Sequence, residues 1–242
     1  ILNPTHPATA LLTHPTLLIQ RHLEPLTLLA GFEQANNYTI LSPTGAPLGH
    51  LSERAHGLRS ALARQAFRTH RGFTAHVFDT AGSEVLRVQR PFAWINSRLR
   101  VLDPQMRLIG EVQQEWAPLR RRYNLFTLQP QEGTHTMAQF ARIDAPFLSW
   151  DFRLQSDSGA PLASVNRNFS GFAREIFTET GVYALRMDAA AMEEATATEG
   201  QHILPAAGPG LTLDQRAVAL ATAVSIDFDY FSRHSGAGGG FM

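Results

Sequence analysis

The side chains with the most chemical potential in this sequence are a pair of aspartates and a scatter of arginines. Asp227 and Asp229 close the stretch LTLDQRAVALATAVSIDFDYF, Leu211 to Phe231, which also holds the longest apolar run. At the C-terminal end of a helix, carboxylates meet carbonyls that are already partly negative, so each needs an arginine partner, a cation or water. All 21 basic residues are arginine. That is read either as codon bias in a GC-rich genome or as a preference for the guanidinium fork, the better bidentate ligand for phosphate. Arg120, Arg121 and Arg122 follow Trp116 and Pro118; three adjacent strand side chains cannot share a face, so a basic turn is expected. Arg64, Arg68 and Arg71 share one face of a predicted helix. Together the six are the candidate grip on phosphate oxygens of acidic lipid headgroups, with Phe67 beside the second group as the candidate membrane contact.

Other chemistry is excluded more easily. The ten histidines show neither a helical i, i+4 pair nor a carboxylate spacing that would make a metal site. The lack of cysteine removes disulfides, thiolate metal sites, thiol nucleophiles and S-palmitoylation together. No phosphate-binding glycine loop, nucleophile elbow or kinase set is present, so no covalent catalysis is expected. Formal net charge is zero, so no bulk field draws the chain to nucleic acid, and none is expected as a partner.

The elements that must position these residues follow from periodicity. Only ten residues, Ala217 to Ile226, separate Arg216 from Asp227, whereas a bilayer crossing takes roughly 20. A helix over 212–231 buried inside protein is therefore expected, started by a Thr212–Gln215 capping box with Asp214 in its first turn. Upstream, ILSPTGAPLGHL from Ile40, VFDTAGSEVLRV from Val77, VLDPQMRLIGEV from Val101 and RLQSDSGAPLASV from Arg153 each read as strand, turn, strand. Successive hairpins must pair their edges or close into a barrel, and a wide barrel needs filling. The slim helix around Ala217, Ala219, Leu220, Ala221, Ala223, Val224 and Ser225 suits an axial plug. Leu51 to Arg71 reads as an amphipathic helix with Leu51, Ala55, Leu58 and Leu62 on its apolar face. Residues 1–16 read as an extended arm, 17–234 as the barrel domain with a loop insertion at 189–210, and 235–242 as a flexible tail.

Several stretches resemble the phospholipid scramblase family, whose fold is similar to the tubby C-terminal domain. They are LLIQRHLEPLTLLAGFEQANNYTILSPTG from Leu17, RGFTAHVFDTAGSEVLRVQRPF from Arg71, IGEVQQEWAPLRRRYNLF from Ile109, GFAREIFTETGVYALRM from Gly171 and the closing LDQRAVALATAVSIDFDYFS. The resemblance implies a mainly β fold, a closed antiparallel barrel of roughly twelve strands around a central hydrophobic C-terminal helix. It also implies membrane association and calcium-stimulated, energy-independent phospholipid movement between leaflets. The FRTHR and INSR segments (Phe67 to Arg71 and Ile95 to Arg98) are similar to those of fungal members associated with mitochondria. In the tubby relatives a basic barrel surface binds phosphoinositide headgroups. The departures are equally specific. The cysteine-rich acylation stretches of animal members are missing, and the proposed calcium segment, here Phe177 to Asp188, offers only Glu179 and Asp188 as carboxylates. A calcium ion wants six to eight oxygens, so Glu179, Asp188, Asp227 and Asp229 stand only as weak metal candidates.

Overall fold

The computed structural model describes residues 1–22, 37–53, 72–93, 95–131, 134–166, 182–198 and 210–227, with 194–198 by backbone alone. Among them twelve strands follow one another round a closed antiparallel barrel, β1 (Thr16–His22), β2 (Asn37–Leu41), β3 (Pro47–Glu53), β4 (Phe73–Asp79), β5 (Glu84–Arg90), β6 (Arg98–Leu102), β7 (Leu108–Glu115), β8 (Arg120–Gln131), β9 (Thr134–Pro146), β10 (Asp151–Gln155), β11 (Pro161–Asn166) and β12 (Val182–Arg186), which pairs back to β1. Three helices accompany them: α1 (Thr9–Leu12), α2 (Ala189–Thr198) and α3 (Leu213–Ile226). Alternation builds the wall. Tyr123 and Leu125 of β8, and Ala141, Ile143 and Ala145 of β9, are buried inside, while the residues between them face outward; a strand's period of two requires this.

The four predicted hairpins are all present, and their turns are chemically one device. In each, the amide of the first residue donates to the carbonyl of the fifth: Ser42 to Ala46 at 2.8 Å, Asp79 to Ser83 at 3.0 Å, Asp103 to Arg107 at 3.0 Å and Ser156 to Ala160 at 2.9 Å. The first residue's side-chain oxygen accepts from the fifth residue's amide, at 2.8 to 3.1 Å. The fourth residue is left-handed, with φ of 82° at Gly45, 80° at Gly82, 65° at Met106 and 81° at Gly159. A type I turn followed by a left-handed residue and a bulge has the twist a hairpin needs. Serine or aspartate first and glycine fourth is its local code.

Helix α3 runs inside the barrel. Its Thr212 hydroxyl accepts from the Gln215 amide and the Gln215 side chain accepts from the Thr212 amide, forming the expected capping box. Ala217 through Ile226 are buried on every side, Leu220, Ala221 and Val224 among them. Thr222 satisfies its hydroxyl by donating to the Val218 carbonyl at 2.7 Å. The wall comes close at Gly110 of β7, where a Cβ would lie 2.5 Å from Val218 Cγ2 and closer still to the Phe126 carbonyl oxygen.

Three expectations need correction. Residues 1–16 are not simply an extended arm: Thr9–Leu12 form a helix whose Leu11 and Leu12 are buried in the core cluster, and Thr16 already belongs to β1. Arg216 clamps this segment by donating to the carbonyls of Leu12 and His14 at 3.2 and 3.3 Å. Within the expected loop 189–210, the alanine-rich Ala189–Thr198 forms α2, as high helix propensity favours. The helix predicted from Leu51 does not start there. Leu51 to Glu53 lie in β3, with Leu51 opposite Tyr38 and Val77, because pairing on both sides overrides local helical spacing; residues 54–71 lie outside the described residues.

Two glycines test this architecture differently. Gly82→Ala puts a Cβ at a left-handed position with nothing within 4 Å, so the expected loss is backbone strain alone, about 1–2 kcal/mol. Gly110→Ala drives a methyl into the Phe126 carbonyl and Val218, and is expected to cost about 3 kcal/mol. Urea titration of both variants ranks the losses; a harmless Gly110→Ala would mean that α3 does not press on β7.

Candidate functional site

Arg120, Arg121 and Arg122 open strand β8 and do not form a turn. The reasoning that they cannot share a face holds; the strand simply divides them. Arg120 and Arg122 point to the side of β9 that carries Asp144. Arg120 Nε donates to Asp144 Oδ1 at 2.5 Å, and Arg122 lies 3.4 Å from the same oxygen and 3.7 Å from Glu115. Burial works to raise the Asp144 carboxyl, but the hydrogen bond and charge of Arg120, with Arg122 behind, outweigh it and hold the pKa below the ordinary value. The Arg121 guanidinium lies elsewhere, 4.4 Å from the centre of the Phe147 ring, a cation–π stack.

The same outer wall continues onto neighbouring strands. Arg98 and Arg100 of β6 stand 3.9 and 3.8 Å from Glu111 of β7, and Arg142 of β9 is exposed on the face shared with Asp144. Along β6 to β9 this face carries Arg98, Arg100, Arg120, Arg122 and Arg142 against Glu111, Glu115 and Asp144. Glu111 is buried, but Asp144 and Glu115 are exposed; exposed ion pairs are worth only about 0–1 kcal/mol, so a phosphate can take the place of either at little cost. Arg98, Arg100 and Arg142 escaped sequence reading because no two are adjacent. Their signal is the i, i+2 spacing that places strand residues on one face, legible only once strand borders are known.

At the far end of α3, Asp227 is buried and supplied with donors. The Tyr38 hydroxyl donates to it at 2.7 Å, and Arg21 of β1 stands 3.9 Å away. Of the partners expected for this aspartate, the fold provides the arginine, and it adds a phenol that was not expected. Burial, and then the charge of Asp227, push the phenols of Tyr38 and Tyr183 well above their ordinary pKa.

The two metal candidates within the described residues, Asp188 and Asp227, do not converge. Asp188 lies at the opposite end of the barrel, where its carboxylate accepts from the Ala191 amide at 2.8 Å and caps α2; its charge acts on Arg216 in the first turns of α3. Arg216 and Asp227 are eleven helical residues apart, about 16 Å, too far for one ion to span. Among the described residues no group of three or more metal-binding side chains assembles, and Asp188 and Asp227 do not supply a calcium ion's six to eight oxygens together. Arg64, Phe67, Arg68, Arg71, Glu179 and Asp229 lie outside the described residues.

Comparison with known proteins places this geometry. The family described as Scramblase matches residues 1–233. The chain is 42% identical over 256 residues to the altered inheritance rate of mitochondria protein 25 of Saccharomyces cerevisiae, covering 97% of this chain and 76% of that protein. It is 42% identical over 243 residues to a phospholipid scramblase family protein of Schizosaccharomyces pombe, covering 95% of this chain and 63% of the relative. Phospholipid scramblase 1 of Mus musculus is 24% identical over 90% of this chain and 61% of its own length. The chain thus spans less than two thirds of the last two.

The buried phenols make stability fall in alkali. A folded pKa raised above the ordinary 10.0 contributes stability that is complete below that pH and lost as pH rises through the folded value. The urea midpoint is therefore expected to hold up to about pH 9 and to decline from about pH 10 upward. Tyr38→Phe is expected to shrink that decline and, near neutral pH, to cost about 1–3 kcal/mol, because buried Asp227 loses a donor. A midpoint unaffected by alkali would mean that the phenols are solvated.

Proposed function

As the chain belongs to the scramblase family, we propose that it docks on anionic membranes and supports ATP-independent, bidirectional movement of phospholipids between leaflets. The observation that carries the reading is the outer wall of β6 to β9, where among the described residues five arginines face three carboxylates. Guanidinium forks match phosphate bidentately, and a surplus of them near a negative leaflet contributes about 1 kcal/mol per residue. Arg64, Arg68, Arg71 and Phe67 are assigned to the same docking role on sequence grounds. The name of the budding-yeast relative supports a mitochondrial setting, where cardiolipin supplies the anionic headgroup.

The fold constrains the mechanism. No helix among the described residues is long and apolar enough to cross a membrane, and α3 is occupied as the barrel's filling. A headgroup crosses hydrocarbon only along a polar or deformed path, so lipid movement has two routes: the outer surface thins or disorders the bilayer locally, or the barrel opens and releases α3. The enclosed helix also supports a second reading, a headgroup-binding adaptor without transport activity.

Reconstitution separates the two. With cardiolipin-containing liposomes carrying a quenchable headgroup-labelled lipid, the purified chain is expected to expose inner-leaflet label without ATP, faster than protein-free vesicles do. Replacing Arg98, Arg100, Arg120 and Arg122 by alanine is expected to lower both binding and exposure rate, more strongly at low salt. Binding that depends on these arginines while exposure stays at the protein-free rate would establish the adaptor and sink the transport reading.

A further inference from the structure

Large apolar side chains are gathered at one end of the barrel. Because every strand is antiparallel to its neighbour, the β5–β6, β7–β8 and β9–β10 connections emerge together, at the end where α3 finishes beside Arg21 and Tyr38. Ile95 stands in the first connection, Trp116 and Leu119 in the second, and Phe147, Leu148 and Trp150 in the third. Ile95, Trp116, Leu119 and Leu148 are 67%, 66%, 81% and 69% exposed. The loops are tied into one surface. The Trp116 amide donates to the Asn96 side chain at 2.9 Å, and the Phe147 amide to the Leu119 carbonyl at 3.0 Å.

Single exposed apolar residues are ordinary on a protein surface; a contiguous group of them marks an interaction site. The opposite end supplies the contrast. Its four tight turns are built from serine, aspartate, proline, threonine, glutamine, alanine and glycine, with Met106 as the one large apolar side chain among them. Leu119 adds an independent sign, since it holds φ of 59°. A leucine in the left-handed region costs about 1–2 kcal/mol, and this one recovers nothing by packing. Strain kept at an exposed apolar tip serves something outside the folded chain.

Charge indicates what that is. Residues 90–100, 111–122 and 142–153, the three connections with their flanking strand ends, carry eight arginines against four carboxylates, and with buried Arg90 and Glu111 set aside, seven against three. Tryptophans at the tips, leucines beside them and arginines set behind reproduce the layering of a bilayer interface, with aromatic rings at headgroup level, aliphatic chains below and guanidinium groups at the phosphates. We infer that this end of the barrel is the membrane-inserting face: Trp116, Leu119, Leu148 and Trp150 enter the headgroup and acyl boundary of an anionic bilayer, and the arginines behind them meet the phosphates. The barrel then docks end-on with α3 upright, its Asp227 end toward the lipid. This rests on the membrane docking proposed above and names the surface that performs it.

Flotation of the full chain with phosphatidylcholine–cardiolipin vesicles tests it, using Leu119→Ser combined with Leu148→Ser, and Met106→Ser at the opposite end as the control. Both sites are exposed, so circular dichroism and the urea midpoint are expected to match the unaltered chain. Partitioning of the double variant is expected to fall by roughly tenfold or more, from the loss of two inserted leucines. The blue shift of tryptophan emission on adding vesicles is expected to shrink with it, while Met106→Ser behaves as unaltered. Equal flotation of the double variant and the unaltered chain would overturn the end-on face and leave docking to the arginine wall. Failure of the unaltered chain to float would overturn both. Loss of self-association in the double variant, with flotation unchanged, would assign the patch to a second copy of the chain and overturn the proposal.

Discussion

A helix that is apolar on every side cannot face water, and the rest of this molecule follows from enclosing one. Ala217 through Ile226 expose nothing, so the wall must surround them completely, and twelve antiparallel strands do so without leaving an open edge. Small residues keep the helix slim, and Gly110 leaves room on the wall where a Cβ would press on Val218. Both ends are satisfied from within the fold: the Thr212 and Gln215 capping box at one, Tyr38 and Arg21 around Asp227 at the other. A rod held in this way is a filling and not an anchor.

The outside is organised by the same alternation that builds the inside. On β6 to β9 outward polar residues alternate with inward apolar ones over most of the wall, as in Arg98–Leu99–Arg100 and Arg142–Ile143–Asp144, and several of them are arginines. Carboxylates of the neighbouring strands hold the guanidinium groups in place without neutralising all of them. The pairs to exposed Asp144 and Glu115 are weak, so the guanidinium groups they hold are free to change partner. Arginine in place of lysine throughout the chain then has a physical consequence whatever its genetic origin, since the planar fork keeps its geometry when it changes partner.

Where chemistry was local, the residues were readable in advance. The four hairpins were legible because a serine or aspartate and a left-handed residue three positions later form the turn almost unaided. The start of α3 was legible because capping involves residues only three apart. Distant partners were not legible. Leu11 and Leu12 look like part of a proline-rich arm until the barrel mouth receives them, and Leu51 fits a helical stripe until β2 and β4 pair with it on both sides. The arginine triplet was judged by the rule that neighbours on a strand face apart, which is true, but that rule does not decide whether a strand is present. Asp188 carried the position of a family calcium segment, and the fold uses it to cap α2.

The sequence by itself determined the apolar rod, the turn positions, the absence of cysteine and lysine, and the family, because each depends on residue identity or short spacing. Tertiary structure alone decided which residues the rod's Asp227 would meet, which arginines share a face, and that three separate loops bring their tryptophans and leucines to one end. Antiparallel closure is the reason. It sends alternate connections to the same rim and sets strand positions side by side that lie far apart in the chain, and short-range spacing carries no record of either.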